Sequence, residues 1–200
     1  IFGADKRHSG EIYLEGKKLD IHSPGDAIRA GFGFVTEDRK QQGLLLNFDV
    51  GTNITMASFD HFTSGGIFDK KKEQQIIDHQ IEALSVKTPS SDVYIGKLSG
   101  GNQQKCLIAR WMETHPKVLI MDEPTRGIDV GAKYEIYLLM KKIAESGSTV
   151  IMISSELPEV LNMSNRVLVL SNGRIAGEFD PEHTTSEQIM AAALGEGENQ

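Results

Sequence analysis

The sequence predicts an α/β fold with a parallel sheet at its core, and three apolar stretches carry that prediction. Residues 118–121, VLIM, form a short continuous apolar run that reads as a strand buried on both faces, with Asp122 and Glu123 at its carboxyl end. Residues 149–153, TVIMI, read as the next buried strand, and Gly33-Phe34-Val35 as a shorter one leading into Thr36-Glu37-Asp38-Arg39. In open parallel sheets ligand chemistry sits at the carboxyl ends of the strands, so the Asp-Glu pair is the first place to look for function.

Bulk properties narrow the field. A chain of 200 residues, 39% hydrophobic and 24% charged, is one domain's worth of ordinary globular protein. Its net charge of −7 argues against a nucleic-acid surface. The single cysteine, Cys106, excludes an internal disulfide and fits a reducing compartment; among Leu107, Ile108 and Ala109 it reads as a small buried hydrophobe. No apolar run approaches the ~20 residues needed to span a bilayer, so membrane association has to go through a partner. The opening Ile1-Phe2-Gly3, without initiator Met or signal peptide, reads as the middle of a longer chain. The six His residues are scattered without metal-ligand spacing, which favours structural or surface roles.

In order along the chain, residues 9–20 alternate around Glu15-Gly16 and predict a β-hairpin, followed by a turn and short helix over 23–30. The polar segment 36–43 leads into a helical region. Asp69 can cap a helix over 70–84, in which Ile76, Ile77, Ile81 and Leu84 form one apolar stripe. Residues 88–91 are a loop. Leu98-Ser99-Gly100-Gly101 is a loop with few side chains that feeds a helix beginning near Asn102, so backbone N–H groups and the helix dipole can face an anion. Pro116 breaks that helix and Lys117 starts the strand. Asp129 can cap the following helix, whose stripe is Ala132, Ile136, Leu139, Met140 and Ile143, with Gly147 as its stop. Residues 167–179 predict a hairpin with an Asn172-Gly173 turn, and 186–194 a short helix before a frayed end over 195–200.

LSGGNQQK followed by LIMDEPTRGID resembles the signature motif, Walker B strand and D-loop of an ABC ATPase. The wording SGGNQQK, EPTRGIDVGAK and SSELPEV is similar to the second, C-terminal nucleotide-binding domain of the two-domain ATP-binding subunit of bacterial ribose, galactose, arabinose or xylose importers. The match covers nearly the whole chain. It implies a P-loop NTPase-like ABC ATPase domain, 1–200, in which 1–35 belong to the antiparallel β subdomain, 44–115 to the helical signature subdomain and 116–200 to the Walker B core. A phosphate loop of the form G-x-x-x-x-G-K-[ST] is absent from the chain, which the resemblance makes a truncation.

The resemblance also assigns roles. It implies an ATPase, in the full subunit, that uses ATP and Mg²⁺, with these residues alone inactive. Asp122 is expected to hold Mg²⁺ through water and Glu123 to orient the attacking water as the catalytic residue. Ser99, Gly100, Gly101 and Gln103 are expected to serve the nucleotide of a partner domain, and Asp129 lies in the D-loop that crosses to it. Glu37 stands at the Q-loop position, where the family's usual Gln contacts metal and water and links to the membrane subunit. Ser155 stands at the switch-His position, where a hydroxyl lacks the charge and reach of an imidazole. Both departures predict a weakened local site in an asymmetric pair. The expected partners are an N-terminal nucleotide-binding domain, membrane permease subunits and, indirectly, a sugar-binding protein, at the cytoplasmic face of the bacterial inner membrane and without nucleic acid. Two other classes stay open: an ABC ATPase outside transport, and a non-catalytic module that only completes the partner's site.

Overall fold

In the computed structural model, which describes residues 1–195, the alternation over 9–20 forms the expected hairpin: β1 (Ile12–Leu14) pairs antiparallel with β2 (Lys17–Leu19). Glu15 and Gly16 both take positive φ, 52° and 75°, the turn geometry whose twist matches that of paired strands. Ser23 caps α1 (Pro24–Arg29), its hydroxyl accepting from Asp26 N. Ala27 from that helix packs with Ile21, Phe32, Val118 and Ile120 in one buried cluster.

The chain divides into two compact units, Ile1–Ile151 and the residues from Met152 on. A three-stranded sheet has the order β3 (Phe32–Val35), β6 (Val118–Asp122), β7 (Thr149–Ile153), and the boundary between the units falls within β7. β3 and β6 run parallel with Val35 opposite Met121. Between them the chain forms α2 (Val50–Thr55), the small hairpin β4 (Thr63–Ser64) and β5 (Ile67–Phe68), α3 (Lys70–Ala83) and α4 (Gly100–Met112). Asp69 caps α3 through Lys71 N and Lys72 N, both at 3.0 Å. Its stripe is as expected at Ile77 and Leu84, but it also carries Gln80, which is buried. After β6, Asp129 caps α5 (Val130–Glu145) by accepting from Ala132 N at 3.0 Å, and Ile136, Leu139, Met140 and Ile143 turn inward. The second unit contains α6 (Leu157–Met163), the hairpin β8 (Val167–Ser171) and β9 (Arg174–Phe179), and α7 (Ser186–Leu194), closed around Val167, Val169 and Ile189. Beyond Gly195, the expected frayed end lies outside the described residues.

Two expectations fail for reasons of packing. β7 is not buried on both faces: it lies at the edge of the sheet with burial alternating along it, and Ile151 and Ile153 remain 40% and 47% exposed. A continuous apolar run therefore did not separate a central strand from an edge one. The glycines of the signature are also not a loop. The helix begins at Gly100, with Ser99 as an extended N-cap. What demands glycine is close approach, since a Cβ on Gly101 would lie 2.5 Å from the Cβ of Ala132 on α5. From Gly101 to Arg110 every residue of α4 is buried except the half-buried Asn102, and Gln103, Lys105 and Arg110 donate to backbone carbonyls around them.

Candidate functional site

Because β3 and β6 are parallel neighbours in register, Glu37 and Glu123 emerge two residues past a matched pair, Val35 and Met121, at the same end of the sheet. Asp122 ends the strand half-buried. Its carboxyl is held above the usual range by burial and, second, by the adjacent charge of Glu123. Glu123 adopts φ 45°, a left-handed conformation few non-glycine residues take. Behind it Thr125 is 1% exposed, so the turn that aims the carboxylates is set in the core. Two crowded carboxyl groups, one of them costly to ionise, form a hard oxygen donor set that a divalent cation such as Mg²⁺ would stabilise. The residues present thus fit the metal expected there.

Glu37 does not present a bare negative charge. Its carboxylate is paired with the Arg126 guanidinium, and both side chains are about half exposed. Arg39 reaches across to the D-loop backbone, where Nη1 donates to Arg126 O at 2.6 Å and Nη2 to Gly127 O at 3.0 Å. Asp38 closes the intervening turn by accepting from Lys40 N and Gln41 N at 3.0 Å. Together these residues line an open cleft of about 460 Å³. The polar segment after β3 is therefore tied, through Arg39, to the backbone at Arg126 and Gly127.

The signature residues divide into two kinds. Ser99 is exposed, and its hydroxyl accepts from Asn102 Nδ2 at 2.9 Å. Gly100 lies against the D-loop: a Cβ there would meet Arg39 Nη2 at 2.7 Å and Gly127 O at 3.2 Å. Gln103, expected to reach a nucleotide with them, is 4% exposed and turns the other way, donating to Leu98 O at 3.1 Å and Ile95 O at 3.3 Å. One turn of helix separates it from Ser99, and its amide holds the incoming loop instead. Asp129 is occupied as the cap of α5.

A family model described as "ABC transporter" matches residues 1–126, well over half of the chain. The chain belongs to the ABC transporter family. It is 51% identical over 195 residues to a ribose import ATP-binding protein of Oceanobacillus iheyensis, covering 98% of this chain and 39% of that one. It is 53% identical over 197 residues to a xylose import ATP-binding protein of Photobacterium profundum, again covering 98% and 39%. The chain thus spans about two-fifths of the length of the curated relatives it matches. Among solved structures, a dimeric ATP-binding cassette in a post-hydrolysis state bound to ADP and Pi superposes with a TM-score of 0.73 at 23% identity, covering 90% of this chain and 77% of that one. The α/β ABC fold expected from the motifs is the fold observed.

Within this family member, Ser155 lies in the second unit, exposed, two residues past the end of β7. Its neighbour Ser154 donates to Glu159 and accepts from Glu156 N at 3.1 Å, which organises the turn into α6. Sequence reasoning missed Arg110 altogether. That guanidinium is 6% exposed and donates to Asn53 O at 2.7 Å, Asn53 Oδ1 at 2.9 Å and Gly43 O, joining the signature helix to the chain that follows the Q-loop position. Burial pushes it down to about 10, so it stays charged at neutral pH. Lys105, likewise buried, donates to Ser85 O at 2.9 Å and pairs with Glu135 at 2.7 Å. The only earlier signal was an Arg and a Lys among apolar residues on a helix. Cys106 is fully buried and its thiol is pushed up to about 12 by desolvation, which makes it the inert hydrophobe its neighbours imply.

Proposed function

We propose that this chain is the C-terminal nucleotide-binding domain of a bacterial sugar importer's energy-coupling subunit, peripheral to the cytoplasmic face of the membrane. It offers one surface to its own ATP and another to the ATP of a second domain. The observation that carries the reading is the strand end at which Asp122, Glu123 and the Glu37–Arg126 pair converge, on a chain about half identical to ribose and xylose import ATP-binding proteins. Among the described residues no helix is long and apolar enough to cross a membrane, which supports coupling through separate permease subunits.

In this reading the chain's own groups do little covalent chemistry, because phosphoryl transfer asks mainly for positioning and charge stabilisation. Mg²⁺ supplies neutralisation of charge on the transferring phosphoryl group. Asp122 would hold it through water. Glu123, fixed by its left-handed turn, orients and polarises the attacking water at the same strand end. Ser99 with the N–H groups of Gly100 and Gly101 forms the anion-facing helix start offered to the other domain's nucleotide. Gln103 keeps that start in place through the carbonyls of Ile95 and Leu98. No phosphate loop of the G-x-x-x-x-G-K-[ST] form occurs in these 200 residues, so alone they hold nucleotide weakly. A binding module that only completes its partner's site is the second reading, favoured by Glu37 and Ser155 standing where the family has Gln and His.

The test is reconstitution of the longer protein that carries this chain into vesicles with candidate permeases. ATP-dependent ribose or xylose uptake is expected. ATP turnover with no uptake of any pentose or hexose would instead place the protein among ABC ATPases outside transport.

Arg39 gives a narrower expectation. Had 37–43 been only a permease contact, charge reversal at Arg39 would lower uptake and spare ATP turnover. With two D-loop carbonyls in its grip, Arg39→Glu is expected to lower turnover and uptake together, by roughly tenfold, the order of loss for two charged hydrogen bonds that are partly screened. Turnover kept at the parent rate while uptake falls would restore the contact-loop reading.

A further inference from the structure

We propose that the first unit contains a site for one divalent transition-metal ion of the zinc class, formed by His61, Glu113 and His115. Glu113 and His115 are two positions apart in sequence, and the fold brings His61, more than 50 residues earlier, to them. His61 sits on the short 3-10 helix Phe59–Phe62, Glu113 is the C-cap of α4, and His115 lies in the link from α4 to β6. One ligand atom from each lies within 4.8 Å of the other two.

Three observations favour a ligand set over a surface coincidence. Glu113 is 7% exposed, a burial that carboxylates tolerate only when partnered, and its two oxygens point to different neighbours. Oε2 accepts from Gln80 Nε2 at 2.8 Å, and Gln80 is itself the buried polar member of the α3 stripe. That bond fixes the carboxylate from behind in the way outer-shell partners orient metal ligands. Oε1 faces His61 Nδ1 at 3.3 Å. The separation is long for a charge-assisted hydrogen bond and matches the roughly 3.4 Å between neighbouring ligand atoms about a tetrahedral ion with bonds near 2.1 Å. His115, exposed, stacks its ring on that of His61 with centroids 6.0 Å apart and 16° between planes, so both imidazoles approach the carboxylate from one side.

The donor set names the ligand. Two imidazole nitrogens and one carboxylate suit zinc, cobalt and nickel, whereas Mg²⁺ and Ca²⁺ take oxygen ligands. Three protein ligands with a solvent-open side leave a position for water. The only thiol of the chain, Cys106, is fully buried, so it does not compete. A bound ion would clip the turn carrying His61 to the C-terminal end of the signature helix, across 54 residues of sequence (115 minus 61).

The experiment is titration of the untagged chain with Zn²⁺ and with Co²⁺, followed by calorimetry and, for Co²⁺, by visible absorption. One ion per chain is expected. His61→Ala and His115→Asn should each weaken binding at least tenfold; Asn is chosen because His115 has φ 50° and Asn tolerates that conformation. Zn²⁺ at a hundred times its Kd should raise the midpoint of thermal unfolding by roughly 5–10 °C in the parent and much less in either variant. Absence of one-to-one uptake, or uptake equally tight in both variants, overturns the site and leaves a hydrogen-bonded Gln80–Glu113–His61 network in its place. Should one variant unfold without metal, the Zn²⁺-dependent shift in the other decides.

Discussion

Ser99→Glu, made in the longer protein assembled with its permease, is expected to lower transport-coupled ATP turnover ~10²-fold or more. The substitution sets a negative charge at an exposed helix start that, in the proposed reading, receives the γ-phosphate of the other domain's nucleotide. Ser99 is the right position for this test because its side chain is exposed and makes only a local bond with Asn102. Gly101 is a poor choice, since any side chain there meets Ala132 at 2.5 Å and would separate α4 from α5 for reasons unrelated to phosphate. Glu123→Gln, measured in parallel, is expected to cost several-fold at most. In the proposed reading it removes a carboxylate from a site where Glu37, tied to Arg126, stands in place of the family's Gln. Equal damage from the two substitutions would mean that the local site turns over and that the pair of sites is not asymmetric.

Arg110→Met is expected to destabilise the chain by about 3–5 kcal/mol, the order seen when one member of a buried, charge-assisted set is removed. The volume is nearly kept, so the cost comes from the acceptors that lose the guanidinium: Asn53 O and Gly43 O, and Asn53 Oδ1, which keeps only its bond from Leu45 N. Asn53 is itself fully buried and holds Leu45 through both its N–H and C=O, so the loss spreads into the segment 43–53. Urea unfolding checks the value. Arg110→Lys should fall between parent and Met, because an ammonium keeps the charge but cannot reach three acceptors in the planar fork of a guanidinium. A change under 1 kcal/mol for Met would mean that water replaces the guanidinium and that the segment does not depend on it.

Local chemistry made most elements legible. Asp69 and Asp129 are short polar side chains that satisfy the first N–H groups of a helix, and each caps the helix it was expected to cap; Ser23 does the same for the short helix expected over 23–30. Asn172-Gly173 forms its hairpin turn because both residues tolerate positive φ, 49° and 76° here. Short elements were less legible: α2, β4, β5 and α6 have too few residues for a period to stand out. Ser99, the signature glycines, Asp122 and Glu123 were visible because they are clustered within 97–129 in sequence.

The sequence by itself determined the family, the carboxylate pair at a strand end and the inert Cys106, since each depends on residues close together along the chain. Only the tertiary structure decided what those residues face. It turned Gln103 inward, neutralised Glu37 with Arg126, bound Arg39 to the D-loop and left β7 at a sheet edge. It also brought His61 to Glu113 and His115. The physical reason is the same in each case. Burial, ion pairing and ligand geometry depend on separations of a few ångströms, and those separations are set by how helices and strands pack, for Arg39, Glu37 and His61 across 50 to 90 positions of chain, which no local pattern records.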